Sequence, residues 1–292
     1  VSADGTVSWR TLRAEAAAEF GGPEGRWLCE EASGADGAEF DDLLDEPVTE
    51  RGVARLDSMT ARLRTGEPLQ YVLGHWSFRR LDLMVDRRVL IPRPETELLV
   101  ERALTVVRGL ERDAGSPWYC ADLGTGSGAV GLSLLAELPR NSAEVWMTDV
   151  SSDALDVARA NLSGIGVAGA GARFAQGEWF AALPGDMRGL LHLVVSNPPY
   201  VADDDPDLDD GVREWEPHTA LFGGDDGLRD LRALVDGAGS WLRPGGWLVV
   251  EIGSALGAAV SALMEQAGLV EVTVARDLAG LDRIVSGRRS GS

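Results

Sequence analysis

From Trp118 to the end of this 292-residue chain, short apolar runs alternate with stretches of helical periodicity, and that alternation narrows the fold more than any other feature. Strands are expected over 119–123, 144–149, 190–196 and 247–252, with a weaker one at 173–175. Helices are expected over 129–138, 152–162, 228–242 and 256–267, and the segments 270–275 and 283–286 read as a closing pair of strands. Strands joined through helices run parallel, because a parallel pair needs a long crossover, and the crossovers then cover both faces of the sheet. The expected fold class is therefore α/β with a mostly parallel sheet.

Ahead of this region the pattern differs. Trp9, Leu12, Ala16 and Phe20 recur at helical spacing, as do Leu56, Met59 and Leu63, with a loop expected at 34–37. Trp76, Phe78, Leu81, Leu83 and Val85 alternate roughly with period two, which predicts a β-hairpin. Pro92 and Pro94 stiffen the stretch that follows, and helical spacing resumes at Leu98 and runs to about Leu110. The expected organisation is a helical domain over 1–70 that docks substrate, a hairpin linker over 71–92 and a catalytic domain over 93–292.

Charge and cysteine usage bound the function. A formal net charge of -20 argues against sequence-independent binding to duplex DNA, whose affinity comes from cations on phosphates. It suits a basic partner better, and no direct nucleic-acid contact is expected. All 27 basic residues are Arg, so lysine-based catalysis is excluded. Cys29 and Cys120 lie far apart without metal or redox spacing, which fits a reducing, cytoplasmic setting. Residues 1–10 lack the apolar core of a signal peptide, and no apolar stretch approaches the ~20 residues of a membrane span. His75, His192 and His218 are scattered and the acidic stretch 203–210 reads as a solvated loop, so no metal is expected. Trp215, Trp241 and Trp247 read as core, and a monomer is expected.

Three motifs carry chemistry. Asp122-Leu123-Gly124-Thr125-Gly126-Ser127-Gly128 follows a strand and opens a helix. Its glycines permit a tight turn and close approach of a ligand to the main chain, and the helix N-terminus favours a negative group. Alone the loop is ambiguous, since NAD enzymes use a similar device. Asp149 ends the next strand, where a carboxylate can take both ribose hydroxyls of a nucleoside cofactor, while Ser151 or Ser152 can cap the following helix instead. Asn197-Pro198-Pro199-Tyr200 follows a third strand. Ligands of an open α/β sheet sit outside the carboxyl ends of strands, so the three motifs can meet.

The third motif suits a planar nitrogen. An amide or exocyclic amine is a poor nucleophile because its lone pair is delocalised, and two acceptors must hold its two N–H bonds. The side-chain carbonyl of Asn197 and the backbone carbonyl of Pro198 can supply them, and Tyr200 can stack on the planar group. Methyl transfer from a sulfonium then needs alignment above all, worth about 7–11 kcal/mol of barrier.

In this order the motifs resemble the class I methyltransferases that act on planar nitrogens, and the chain is similar to the bacterial release factor glutamine methyltransferases. Gly66-Glu67-Pro68 with 71–74, the stretch 90–97 (Leu-Ile-Pro-Arg-Pro-Glu-Thr-Glu), 195–201 and 216–221 carry the resemblance, which covers 66–288. It implies a Rossmann-like seven-stranded class I methyltransferase domain, a five-helix N-terminal domain and a hairpin linker. It also implies S-adenosyl-L-methionine as cofactor, and class I peptide chain release factors methylated on the glutamine of their Gly-Gly-Gln motif. Gly124, Thr125, Gly126, Ser127 and Gly128 would line the methionine part, Asp149 would hold the ribose and Trp179 would flank the adenine. Asn197, Pro198, Pro199 and Tyr200 would bind the glutamine, with Asn197, Pro198 and Tyr200 as the catalytic residues and Asn197 also bordering the cofactor. The chain departs from the family at Glu178, where Asp is usual. The alternatives are a ribosomal-protein glutamine methyltransferase and an adenine-N6 DNA methyltransferase, both of which share the Asn-Pro-Pro-Tyr motif.

Overall fold

The computed structural model describes residues 6–112 and 115–291. Residues 1–5, where the reading for a signal peptide begins, lie outside the described residues, as do 113–114 and 292 of the segment assigned to catalysis. The chain divides into two units, Val1–Gly74 and His75–Ser292.

Among its described residues the first unit holds helices α1 (Trp9–Phe20), α2 (Gly22–Ser33), α3 (Gly37–Leu43), α4 (Glu50–Arg64) and α5 (Leu69–Leu73). Local chemistry starts them. The Ser8 hydroxyl accepts from Thr11 N to cap α1, and Thr49 accepts from Gly52 N at 3.1 Å to cap α4. The core joins Trp9, Leu28, Cys29, Phe40, Leu56 and Met59, with the Trp9 and Phe40 rings edge-on at 5.9 Å. Gly25 lets α2 close on α1, since a Cβ there would stand 2.5 Å from Ala17 N.

The second unit opens with the hairpin β1 (His75–Phe78) and β2 (Leu81–Met84), paired antiparallel with Arg79 at φ 52° in its turn. Helix α6 (Thr96–Arg108) follows, then β3 (Trp118–Leu123), α7 (Ala129–Glu137), β4 (Ala143–Asp149), α8 (Ser152–Leu162) and β5 (Ala172–Gln176). The remainder is β6 (Leu191–Ser196), α9 (Asp210–Trp215), α10 (Arg229–Trp241), β7 (Leu242–Glu251), α11 (Gly257–Gln266), β8 (Leu269–Arg276) and β9 (Asp282–Arg289). The seven-stranded sheet has the order β5-β4-β3-β6-β7-β9-β8. Strands β3 to β7 pair in parallel, and β9 runs antiparallel to both β7 and β8. This is a Rossmann-like sheet.

Every residue of β6 is buried, His192 and Ser196 included, as befits a central parallel strand. One layer of core joins Leu99 and Leu104 of α6 to Leu132 of α7. The other joins Leu231 and Leu234 of α10 to Val260 and Met264 of α11. Cys120 is fully buried in the first layer and Trp241 is buried in the second. No helix among the described residues is long and apolar enough to cross a membrane.

Three boundaries depart from the sequence expectation. Strand β7 begins at Leu242 rather than 247, and takes in the Arg-Pro-Gly-Gly stretch between the expected helix and strand. A register shift between Leu191 and Leu193 accommodates it, with Gly245 at φ 80° and no room for a Cβ on Gly246, which would stand 2.7 Å from Leu191 O. Helix α6 starts at Thr96 rather than 98, because the amides of Thr96, Glu97 and Leu98 already bond back to Arg93, Pro94 and Glu95. The acidic stretch 203–210 is not loop throughout. Asp209 accepts from Gly211 N at 2.8 Å and from Val212 N at 3.3 Å, and so opens α9.

Candidate active site

The carboxyl ends of β3, β4 and β6 border a cavity of about 280 Å³. Gly124, Thr125, Gly126 and Ser127 line it, with Asp149, Glu178, Trp179, Asn197 and Pro199. The three motifs, spread over the sequence, thus share one cavity. Gly128, Pro198 and Tyr200 do not line it.

The glycine loop is held from beneath by a buried carboxylate. Asp122 Oδ2 accepts from Thr125 Oγ1 at 2.6 Å and from Gly131 N at 2.9 Å. Burial pushes Asp122 up to about 6, against the pull of those two donors. The amides of Gly124 and Thr125 bond to Thr148 O of β4, at 2.9 and 2.8 Å. Gly126 has φ 54° and nothing within 4 Å of where a Cβ would stand, so its missing side chain leaves free space beside the main chain. Gly128 does other work. Its φ is 86° and a Cβ would stand 2.8 Å from Leu132 Cδ1, so it sets the start of α7.

Asp149 is anchored by main-chain donors. Its Oδ2 accepts from Gly126 N at 3.0 Å and its Oδ1 from Ser151 N at 2.9 Å. Ser151 caps α8 by accepting from Ala154 N at 3.2 Å, so the cap does not need Asp149. A carboxylate has about four acceptor positions, and two remain for hydroxyl groups. Burial raises the pKa of Asp149, opposed by the backbone bonds from Ser151 and Gly126. Trp179 stands at φ 45°, and its ring lies 3.3 Å from the position of a Cβ on Gly124. The wall therefore combines a carboxylate for a diol, a flat aromatic and an open backbone turn. That set fits S-adenosyl-L-methionine.

At the end of β6, Asn197 Nδ2 donates to Thr96 Oγ1 at 3.3 Å, which leaves Oδ1 as the free acceptor. The Pro198 carbonyl accepts no hydrogen bond among the described residues. The next two carbonyls are covered, since a Cβ on Gly223 would stand 2.6 Å from Pro199 O and one on Gly227 2.3 Å from Tyr200 O. Tyr200 directs its hydroxyl to Glu251 Oε1 at 3.2 Å.

Four residues have roles in the site that the sequence reading did not assign, although Asp122, Thr96 and Glu216 lie in stretches it singled out. Thr96 orients Asn197, and Asp122 supports the glycine loop. Glu216, fully buried, pairs with Arg93 and accepts from Ile91 N at 3.2 Å, tying the proline-rich stretch to a segment 125 residues away. Glu251 ends β7 at 1% exposure and faces Tyr200. A charged residue ending an apolar strand was a usable signal for Glu251, and the same signal had singled out Asp149.

Residues 106–211 match the methyltransferase small domain family, and residues 11–74 the PrmC N-terminal domain family. The release factor glutamine methyltransferase of Xylella fastidiosa is 43% identical over 247 residues, covering 85% of this chain and 86% of that protein. Its counterpart in Burkholderia pseudomallei is 42% identical over 250 residues, covering 85% of each. A methyltransferase structure from Pyrococcus furiosus superposes with a TM-score of 0.52 at 15% identity, over 80% of this chain and 99% of that one, and shows the fold alone.

Proposed function

The chain belongs to the release factor glutamine methyltransferase family, and on that premise we propose that it methylates the glutamine side chain in the Gly-Gly-Gln motif of class I peptide chain release factors. S-adenosyl-L-methionine supplies the methyl group as an electrophilic sulfonium. Gly124 to Ser127 would cradle the methionine part of the cofactor, Asp149 would take the ribose hydroxyls, and Trp179 with Glu178 would border the adenine.

The observation that carries the reading is the pair of unused acceptors at the start of the Asn-Pro-Pro-Tyr motif. Asn197 Oδ1 and Pro198 O accept no hydrogen bond among the described residues. Gripping both N–H bonds of a carboxamide, they would hold its nitrogen still and turn its face toward the methyl group. The nitrogen would take the methyl as the S–CH3 bond of the sulfonium breaks to leave a thioether, and would lose one proton to water. No strong base is required, because alignment supplies most of the rate. Tyr200, its hydroxyl fixed by Glu251, would stack on the planar amide and hold the motif in place.

The net charge of -20 suits a basic, RNA-binding partner, and two buried free cysteines suit the cytoplasm. Incubation with radiolabelled cofactor and separate candidate substrates tests the proposal. Label is expected on a class I release factor, whereas label on a ribosomal protein or on DNA would assign the site to another substrate.

A further inference from the structure

We propose that Asn161 is a positioning residue for the cofactor: its amide locks the glycine loop at Ser127 to the strap that follows the β-hairpin, and so sets how tightly S-adenosyl-L-methionine is held. The inference rests on the reading of Gly124 to Ser127 as the cofactor's cradle. It starts from a residue that breaks a pattern. The buried residues of α8 are Ala154, Leu155, Val157, Ala158 and Asn161, an apolar stripe with one polar member. Asn is a poor choice inside a helix, because its side chain competes for backbone groups. At 7% exposure it is also costly unless its hydrogen bonds are made.

Those bonds join two walls of the cavity. Asn161 Oδ1 accepts from Met84 N at 2.7 Å, and Nδ2 donates to Met84 O at 3.1 Å and to Ser127 O at 2.9 Å. The orientation of the amide is fixed, since the Met84 N–H needs an acceptor and the two carbonyls need donors. The side chain therefore pairs with the last residue of β2 as a strand would, while it grips the glycine loop. Ser127 is buried and lines the cavity. Its amide donates to no group among the described residues and remains for the carboxylate of the cofactor.

Beyond Met84 the strap enters the same cavity. Val85 is fully buried. Asp86 then makes a turn, its carbonyl accepting from Val89 N at 3.1 Å and its Oδ1 from Arg88 N at 3.0 Å. Arg88, Val89, Leu90 and Pro92 line the cavity together with Ser127. The strap is pinned at both ends, at Met84 by Asn161 and at Ile91 by Glu216, whose Oε2 accepts from Ile91 N at 3.2 Å. Of these two pins, the one at Asn161 also holds the glycine loop. A cofactor that touches both walls meets them in one fixed relation only while that amide is in place, and this preorganisation raises affinity.

Asn161→Asp tests this, since it is isosteric. It keeps an acceptor for Met84 N and sets a carboxylate oxygen against the carbonyls of Met84 and Ser127. Its affinity for S-adenosylhomocysteine, read by titration calorimetry, should fall roughly 10-fold, the effect of leaving a buried acceptor unpaired. KM for the methyl donor should rise by a similar factor while kcat at saturating donor stays close to wild type. Asn161→Ala should fold even where the Asp variant does not, because the space it leaves admits water to the freed carbonyls, and it should show the same loss of affinity. Val157→Ala, a buried change on the same helix outside the cavity lining, should lower the melting temperature and leave affinity intact. A folded Asn161 variant with wild-type affinity, or a Val157→Ala protein with the same loss, would overturn the assignment. Titration of the wild type separates the two claims: if it binds no S-adenosylhomocysteine, the cofactor reading fails before the anchor is tested.

Discussion

Asp149 accepts from the amide of Gly126 at 3.0 Å, so the carboxylate placed to hold a ribose also holds the loop expected to cradle the rest of the cofactor. Its two tasks are coupled through one side chain. Asp149→Ala should weaken S-adenosylhomocysteine binding by about 10- to 100-fold, the worth of hydrogen bonds to a charged group. Titration calorimetry checks it, and an affinity within twofold of wild type would remove Asp149 from the site.

Two glycines of one motif should fail differently. Gly126→Ala puts a methyl group into open space beside the cavity at φ 54°, and should cost about 1 kcal/mol of stability together with a larger loss of cofactor affinity. Gly128→Ala forces a methyl group against Leu132 at φ 86°, and its cost should appear mainly in the melting temperature. Melting and cofactor titration on both variants separate the cases. Equal effects on both properties would contradict the division.

The tie between Arg93 and Glu216 should be strongly non-additive. Arg93→Ala leaves a buried carboxylate without its cation, at a cost of about 3 kcal/mol. Removing Glu216 as well relieves that charge, so the double variant should be no less stable than Arg93→Ala. Urea unfolding of the full cycle measures the coupling, and strictly additive losses would mean the pair is inert.

Stability should respond to pH through the buried acids. Glu251 is pushed up to about 7 and Asp122 to about 6, from 4.5 and 3.8. With folded pKa values raised, each stabilises the protein fully below its unfolded value and loses that contribution as pH rises through the folded value. Glu251→Gln cannot ionise, so its melting temperature should gain on that of the wild type between pH 5 and pH 8. A constant difference across that range would show that Glu251 does not titrate there.

Much of the site was legible because sheet topology did the assembly. The glycine loop, Asp149 and Asn197 each follow a strand signal, and parallel strands deliver their carboxyl ends to one edge. Residues that act through tertiary partners were not legible. Thr96 meets Asn197 across 101 residues and Ile91 meets Glu216 across 125, distances at which no periodicity speaks. Tyr200 shows the limit of motif reading. The spacing placed it correctly after β6, but only the buried carboxyl of Glu251 determines where its hydroxyl goes. The early start of β7 was not legible for a local reason, since Arg-Pro-Gly-Gly joins the strand only through a register shift against β6.

The central claim is that Asn197 holds a substrate amide rather than the cofactor or the fold. Asn197→Ala and wild type should be compared for S-adenosylhomocysteine affinity and for methyl incorporation into the Gly-Gly-Gln glutamine, read by mass spectrometry of the digested release factor. The account predicts unchanged affinity and incorporation lowered by roughly 10²- to 10³-fold. Parallel loss of affinity and incorporation, or methylation of that glutamine at the wild-type rate, would contradict it.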